Sequence, residues 1–112
     1  MPQLEVIHEN NDYIVVNKAA GLISEKSPYE AVTVETQVFN HLLKQKRKPY
    51  IGIIHRLDRV TSGVLILAKK KSILVDFNNL FSSRKVQKTY LAIVKNKPSK
   101  NKGNLVDFLV KN

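Results

Sequence analysis

Runs of apolar and β-branched residues alternate along this chain with stretches of helical periodicity. The runs are bounded by turn residues and predict strands at 4–8, 13–17, 51–54, 64–68, 86–94 and 105–110. Apolar residues spaced as on one helix face predict a helix from a Thr33 cap to about residue 46 and a second beginning at Ser72. This order of strands and helices, with pairs close enough to form hairpins, predicts an α+β fold with a mixed, largely antiparallel sheet and packed helices.

Two aromatic residues, Phe77 and Phe81, lie on the apolar face of the second predicted helix. Such residues could belong to the core or form a platform for a ligand. Their helical spacing favours the core, because a helix of a small domain must bury its apolar stripe.

The composition indicates one globular domain with a strong excess of positive charge. The chain has 112 residues, of which 43% are hydrophobic, so it can fill a core. Lys and Arg number 19 against 9 Asp and Glu, which gives a formal net charge of +10. This excess points to nucleic acid or an anionic membrane surface, with solubility alone as the other explanation. No apolar run approaches a membrane span or a signal peptide, and the lack of cysteine excludes disulfides and thiolate sites.

A basic run follows the first predicted helix, at Lys44, Lys46, Arg47 and Lys48. Positive charge near a helix C-terminus compensates the helix dipole. The same residues could instead contact phosphate groups. The pattern leaves both interpretations open.

The residues with the most chemical potential lie in segment 54–63. Asp58 stands between Arg56 and Arg59, and nearby guanidinium groups would keep its carboxylate ionised while also suiting phosphate. Residue types alone leave it open whether Asp58 is catalytic or only holds two arginines in a loop.

His55 could hydrogen-bond within this loop. The three histidines share no ligand spacing, so we expect no metal site, and Ser62 lacks a nucleophile-elbow pattern.

Residues 55–63, His-Arg-Leu-Asp-Arg-Val-Thr-Ser-Gly, resemble the H-R-L-D-x-x-T-S-G signature of the RluA-type RNA pseudouridine synthases. The sister RsuA-type enzymes usually carry Gly before Arg-Leu-Asp and lack the Ser. Two weaker blocks occur in the same order. Residues 17–21 resemble the family's Lys-Pro-x-Gly turn, with Ala19 in place of proline, and residues 88–94 resemble its Lys-x-Tyr-x-Ala-x-Val strand.

The resemblance implies isomerisation of uridine to pseudouridine in ribosomal or transfer RNA without a cofactor. It assigns Asp58 as the catalytic carboxylate acting at the ribose, and Tyr90 as the residue that stacks on the base and helps to remove the C5 proton. Arg56 would fill the gap left by the flipped nucleotide. The further residues expected to contact RNA are His55, Arg59, Thr61, Ser62 and Lys88. The expected partner is RNA, with no membrane and no metal, in the cytoplasm.

One departure from the family concerns the end of the domain. The family's later Arg-x-His-Gln-Ile-Arg-type block, which supplies a second basic residue to the site, has no counterpart in this sequence. We therefore expect residues 1–112 to be the N-terminal portion of a single catalytic domain, inactive alone and inclined to self-associate through unpaired sheet edges. The alternative is a basic RNA-binding module without catalysis.

Overall fold

A four-stranded antiparallel sheet with two helices forms the framework of the molecule. The computed structural model describes residues 3–97 and 99–104. The elements are β1 (Glu5–Glu9), β2 (Tyr13–Lys18), α1 (Val34–Leu43), β3 (Gly52–Ile53), β4 (Gly63–Ala68) and α2 (Lys71–Ser82). The strand order is β1-β2-β4-β3, and every ladder between these strands is antiparallel. The predicted α+β fold with a largely antiparallel sheet is confirmed.

The register between β2 and β4 fixes which loops share an end of the sheet. Tyr13 pairs with Ala68 at one end of the ladder, and Lys18 pairs with Gly63 at the other. The loop that carries Asp58 runs into Gly63, so it lies at the Lys18 end. The lysines that follow Ala68 lie at the opposite end.

The helix α1 begins at the predicted Thr33 cap, which the structure shows to be reciprocal. The Thr36 backbone N–H donates to Thr33 Oγ1 at 3.2 Å, and the Thr33 backbone N–H donates to Thr36 Oγ1 at 2.8 Å. This capping box satisfies two donors that the first helical turn would leave unpaired. The helix ends at Leu43, earlier than the predicted end near residue 46.

The core lies between α1 and one face of the sheet. Its members are the buried apolar residues Ile14, Val16, Leu22, Val34, Val38, Leu42, Leu57, Leu65 and Leu67. Alternate residues of β2 and β4 enter it because successive side chains of a strand point to opposite faces. Leu57 is notable, since it belongs to the Asp58 loop and anchors that loop in the core.

The helix α2 covers the other face of the sheet and contains no fully buried residue. Phe77 meets the ring of Tyr13 edge-on, with centroids 5.8 Å apart. Gly52 of β3 lies directly beneath Leu74, where a Cβ atom would come within 3.0 Å of the leucine side chain. Close approach of backbone to helix therefore sets the position of α2 on this face.

Two predicted strands differ from the structure. β3 contains only residues 52 and 53 of the predicted 51–54. Residues 86–94 form no ladder with any described strand, and Leu91 and Ile93 are fully exposed. The composition of this segment favours a strand, but a strand is stable only beside a hydrogen-bonding partner. The predicted strand at 105–110 lies outside the described residues.

Candidate active site

The Asp58 loop, residues 54–62, is held at its centre by Ser24. Ser24 Oγ donates to the Leu57 carbonyl at 2.9 Å and accepts from the Leu57 N–H at 3.0 Å. Ser24 is almost fully buried, and so is the Leu57 side chain. Because the backbone groups of Leu57 and its side chain are all fixed, the next residue, Asp58, projects from a defined position.

A buried lysine supports the loop from below. Lys18 is 1% exposed, and its ammonium donates to the carbonyls of Ala19, Leu22 and Arg59 at 3.0, 2.6 and 3.2 Å. Burial lowers the pKa of Lys18, the Arg59 charge lowers it further, and the Asp58 carboxylate acts in the opposite direction. The Gly21 N–H also donates to the Arg59 carbonyl, at 2.7 Å, from a backbone with φ of 96°. The turn that carries Ala19 in place of proline is therefore tied to the Asp58 loop.

The two arginines beside Asp58 pair with other acids. Arg56 Nη1 lies 2.6 Å from Glu25 Oε1, and Arg59 Nη2 lies 2.6 Å from Glu30 Oε1. The interpretation in which Asp58 serves only to hold these two arginines in the loop is wrong, because their acidic partners are Glu25 and Glu30. Both carboxylates come from the loop at residues 23–32.

The Asp58 side chain is exposed and makes no hydrogen bond or ion pair within residues 3–97 and 99–104. It lines an open cleft of about 960 Å³ between the Asp58 loop and residues 23–28. The cationic side chains that line the same cleft are Lys26, Arg56, Arg59 and Lys88. The cleft thus presents an available carboxylate among groups that attract a polyanion.

Phe81 forms one wall of this cleft, although its spacing favoured the core. Its ring lies 5.1 Å from the His55 ring, centroid to centroid, and Lys88 Nζ lies 5.4 Å from its centroid. The residue lies near the end of α2, a helix with no fully buried residue. An aromatic face and a cation at a cleft edge suit a nucleobase and its phosphate.

The His55 ring links the Asp58 loop to strand β4. Its Nε2 accepts a hydrogen bond from the Ile66 N–H of β4 at 3.1 Å, so this nitrogen carries no proton. Burial lowers the pKa of His55, and the charge of Lys88 lowers it further. The partner of His55 is therefore in the sheet and not within its own loop, and a neutral ring is required to make this bond.

The remaining predicted site residues are more dispersed. Tyr90 is 59% exposed and lines a neighbouring cavity of about 310 Å³, which shares His55, Phe81 and Lys88 with the Asp58 cleft. Thr61 and Ser62 form the turn into β4 and are not among the residues that line the cleft. In that turn the Thr61 N–H donates to the Asp58 carbonyl at 3.0 Å, and Gly63 has a φ of 142°.

Four side chains that hydrogen-bond to the Asp58 loop were not predicted from the sequence: Lys18, Ser24, Glu25 and Glu30. The sequence did contain one indication of Lys18, because residues 17–21 match a block of the family pattern. The other three lie in an irregular loop and meet the Asp58 segment from positions 29 to 33 residues away. No local pattern reports contacts of that range.

In the part of the chain that the structure describes, no group of three or more His, Cys, Asp or Glu residues could hold a metal ion. No helix there has the length and apolar character needed to cross a membrane.

The family whose model this chain matches is an enzyme family. The family model for RNA pseudouridylate synthases matches residues 12–111, and the chain belongs to that family. Relatives named as ribosomal large subunit pseudouridine synthases C and D confirm the resemblance to the RluA-type branch.

Individual relatives cover most of this chain but only part of their own length. An RNA pseudouridine synthase of Haemophilus influenzae is 37% identical over 97% of this chain and 46% of its own length. A tRNA pseudouridine synthase C of Vibrio parahaemolyticus is 33% identical over 83% of this chain and 37% of its own length. The chain therefore spans less than half the length of these relatives.

A solved structure supports the fold independently. The human RNA pseudouridylate synthase domain containing 4 superposes with a TM-score of 0.58 at 24% identity, over 72% of this chain and 30% of the human chain. At this identity the likeness concerns the fold alone.

Proposed function

We propose that the protein carrying this sequence isomerises uridine to pseudouridine in RNA, with Asp58 as the catalytic carboxylate. The observation that supports this most directly is the exposed Asp58 side chain, unpaired in the described structure, in a basic cleft and next to Leu57, whose backbone Ser24 holds. A carboxylate already bound to an arginine would have to be released before reacting, whereas Asp58 is available at once. Family membership gives this group a specific reaction.

The isomerisation exchanges one bond of the ribose for another. The bond from C1′ to N1 of uracil breaks, the base turns, and a bond from C1′ to C5 forms. The proton on C5 is lost and N1 gains one, so no external reactant is consumed. Asp58 acts at the ribose, either by attack on C1′ or by removal of the 2′ proton.

The other residues bind and orient the nucleotide. On RNA binding, Arg56 and Arg59 leave Glu25 and Glu30: Arg56 enters the gap left by the flipped nucleotide, and Arg59 contacts a phosphate group. Phe81 with Lys88 forms the wall beside the extruded base. Tyr90 stacks on that base from the neighbouring cavity and helps to remove the C5 proton. Extruding a base costs a few kcal/mol, which contacts between cations and phosphates can offset.

Ribosomal or transfer RNA is the proposed substrate, because the named relatives act on one or the other. Such a substrate implies a cytoplasmic location. Self-association through the sheet edges formed by β1 and β3 stays a separate prediction, which sedimentation of the purified chain tests.

Asp58→Asn provides the central test, with the protein expressed as its gene encodes it. Release of tritium from RNA labelled at uridine C5 measures the reaction, and a filter assay measures RNA affinity. We expect the variant to lose turnover by at least about a thousandfold while its affinity changes less than about threefold. Asp76→Asn removes the same charge from an exposed position on α2 and serves as the matched control.

Three outcomes would contradict the proposal. If the wild type binds RNA but forms no pseudouridine in any cellular RNA, the protein is a binding module. If Asp58→Asn lowers affinity as much as turnover, Asp58 has a structural role. If binding does not weaken as salt rises, the basic cleft does not contact phosphate groups.

A further inference from the structure

A second basic surface lies away from the Asp58 cleft. We name it the distal basic surface, and its exposed cationic residues are Lys44, Lys46, Arg47, Lys48, Lys70 and Lys71. The loop after α1 and the start of α2 meet here around a cavity of about 290 Å³, lined by Lys46, Tyr50 and Lys70 among others. Two segments more than twenty residues apart in the sequence thus contribute cations to one concave surface.

The distal basic surface and Asp58 lie at opposite ends of β4. Lys70 follows the end of the strand at Ala68, whereas the Asp58 loop joins the strand at Gly63. Lys69 confirms the placement, since its ammonium binds Glu9 and the Asn10 carbonyl beside the turn between β1 and β2. A six-residue strand is about 17 Å long, so a ligand in the cleft must extend at least that far to reach this surface.

The stability of α1 does not account for these charges. Stabilisation by the helix dipole falls off within the last turn. The basic residue in the last turn of α1 is His41, and the helix ends at Leu43. Arg47 and Lys48 lie beyond it. The sequence left two explanations for these cations open, dipole compensation and contact with phosphate groups. Dipole compensation explains only the cations nearest the end of α1.

Among the described residues, most cations of the distal basic surface form no ion pair. The cations of the loop after α1 form none of them, and Lys70 pairs with Asp12 at 3.0 Å with both side chains about half exposed. Exposed pairs of that kind contribute little to folding. Lys71 begins α2, whose first turn carries no acidic residue, and a cation at that end opposes the helix dipole. Neither ion pairing nor the helix dipoles therefore explain why so many cations lie on this surface.

We propose that the distal basic surface binds the phosphate backbone of the same RNA molecule whose uridine enters the Asp58 cleft. This inference rests on the proposed function and extends it. An RNA duplex is A-form and rises less than the 3.4 Å per base pair of DNA, so at least about five base pairs are needed to span the distance between the two sites. The surface would therefore favour RNAs with a structured segment beside the target uridine, and it would set affinity without reading the sequence.

The test compares two triple variants of equal charge in the protein as its gene encodes it. The first is Lys46→Gln with Arg47→Gln and Lys48→Gln. The matched control is Lys95→Gln with Lys97→Gln and Lys100→Gln, which removes three exposed cations elsewhere. RNA affinity is measured across a series of salt concentrations, both for a substrate with a flanking stem of at least ten base pairs and for a minimal loop without one.

For the long RNA we expect the first triple variant to reduce the slope of log affinity against log salt by about 2.7, as three lost phosphate contacts to a duplex require. Its affinity falls at least about tenfold, KM rises, and kcat at saturating RNA is unchanged. The minimal loop binds both triple variants as it binds the wild type, because it cannot reach the surface.

Equal salt slopes for the wild type and the first triple variant would overturn the proposal. Equal losses of RNA affinity in the two triple variants would also overturn it, because they would show an effect of net charge alone. Loss of binding to anionic vesicles, with RNA binding intact, would assign the surface to a membrane. A wild type that binds RNA without forming pseudouridine would refute the proposed reaction and leave the slope comparison valid. Absence of all RNA binding would refute both proposals.

Discussion

Ser24 Oγ both donates to the carbonyl and accepts from the N–H of Leu57, at 2.9 and 3.0 Å. One hydroxyl thus satisfies both backbone groups of the residue that precedes the catalytic candidate. The Ser24 backbone also accepts from the Glu35 N–H of α1 at 2.9 Å, so the Asp58 loop is linked to the first turn of that helix. The position of Asp58 depends on a serine that lies 33 residues before Leu57.

Ser24→Ala should lower the free energy of unfolding by about 1–3 kcal/mol, because two buried backbone groups lose their partner. We expect a larger relative fall in kcat than in RNA affinity, since Asp58 loses its fixed position. Urea unfolding and tritium release measure the two effects. Ser82→Ala is the matched control, because Ser82 is exposed on α2 outside the cleft and its Oγ donates to the Asn79 carbonyl. Equal effects of both substitutions would contradict the assigned role of Ser24.

Gly63→Ala tests why the Thr-Ser-Gly turn ends in glycine. The φ of 142° at Gly63 is rare for residues with a side chain, while the nearest atom to an added Cβ is Leu57 Cδ1 at 3.9 Å. The cost should therefore come from the backbone and amount to about 1–3 kcal/mol of unfolding free energy. Gly103→Ala, where a Cβ meets nothing within 4 Å, should change stability by less than about 0.5 kcal/mol. A neutral Gly63→Ala would refute this explanation.

Glu25→Gln combined with Glu30→Gln should strengthen RNA binding. In the unbound protein these carboxylates occupy Arg56 and Arg59, and under the proposed function RNA has to displace them. Freeing two exposed pairs should raise affinity about three- to tenfold at low salt, with a smaller gain at high salt. The control is Glu5→Gln with Asp76→Asn, which removes two negative charges outside the cleft. Equal gains in both double variants would show a general charge effect.

The lowered pKa of His55 predicts a loss of stability on mild acidification. The ring is neutral in the folded protein and titrates at its ordinary value when unfolded, so the unfolded state binds the proton first. Stability from His55 is complete above pH 6.5 and is lost as pH falls below that value towards the folded pKa, by at most about 1.4 kcal/mol per pH unit. Urea unfolding at pH 7.5, 6 and 5 measures it.

His55→Gln is the comparison for that pH series, because its amide oxygen can accept from the Ile66 N–H and does not titrate. The variant should lose less stability than the wild type over this range. The lowered pKa of Glu9 acts in a separate window. Burial raises it, but hydrogen bonds and charges from Lys69 and His41 outweigh burial, so its contribution is lost only below pH 4.5. Parallel curves for wild type and variant above pH 4.5 would contradict the role of His55.

Local features of this fold were predictable because they depend on neighbouring residues. The Thr33 cap, the strands β2 and β4 and the start of α2 follow from capping groups, apolar runs and helical periodicity within a few positions. The segment at 86–94 shows the limit of such reasoning. Its residues favour a strand, yet a strand needs a neighbour, and none of the described strands pairs with it.

The sequence by itself determined the family, through nine consecutive residues that include Asp58, and it located the excess positive charge. The tertiary structure decided how those groups are used. It paired Arg56 and Arg59 with distant acids, left Asp58 available, buried Lys18 beneath the loop and placed the two basic surfaces at opposite ends of β4. The reason is physical: charge and hydrogen bonding act through space over a few ångströms, and only the folded chain sets which groups lie within that reach.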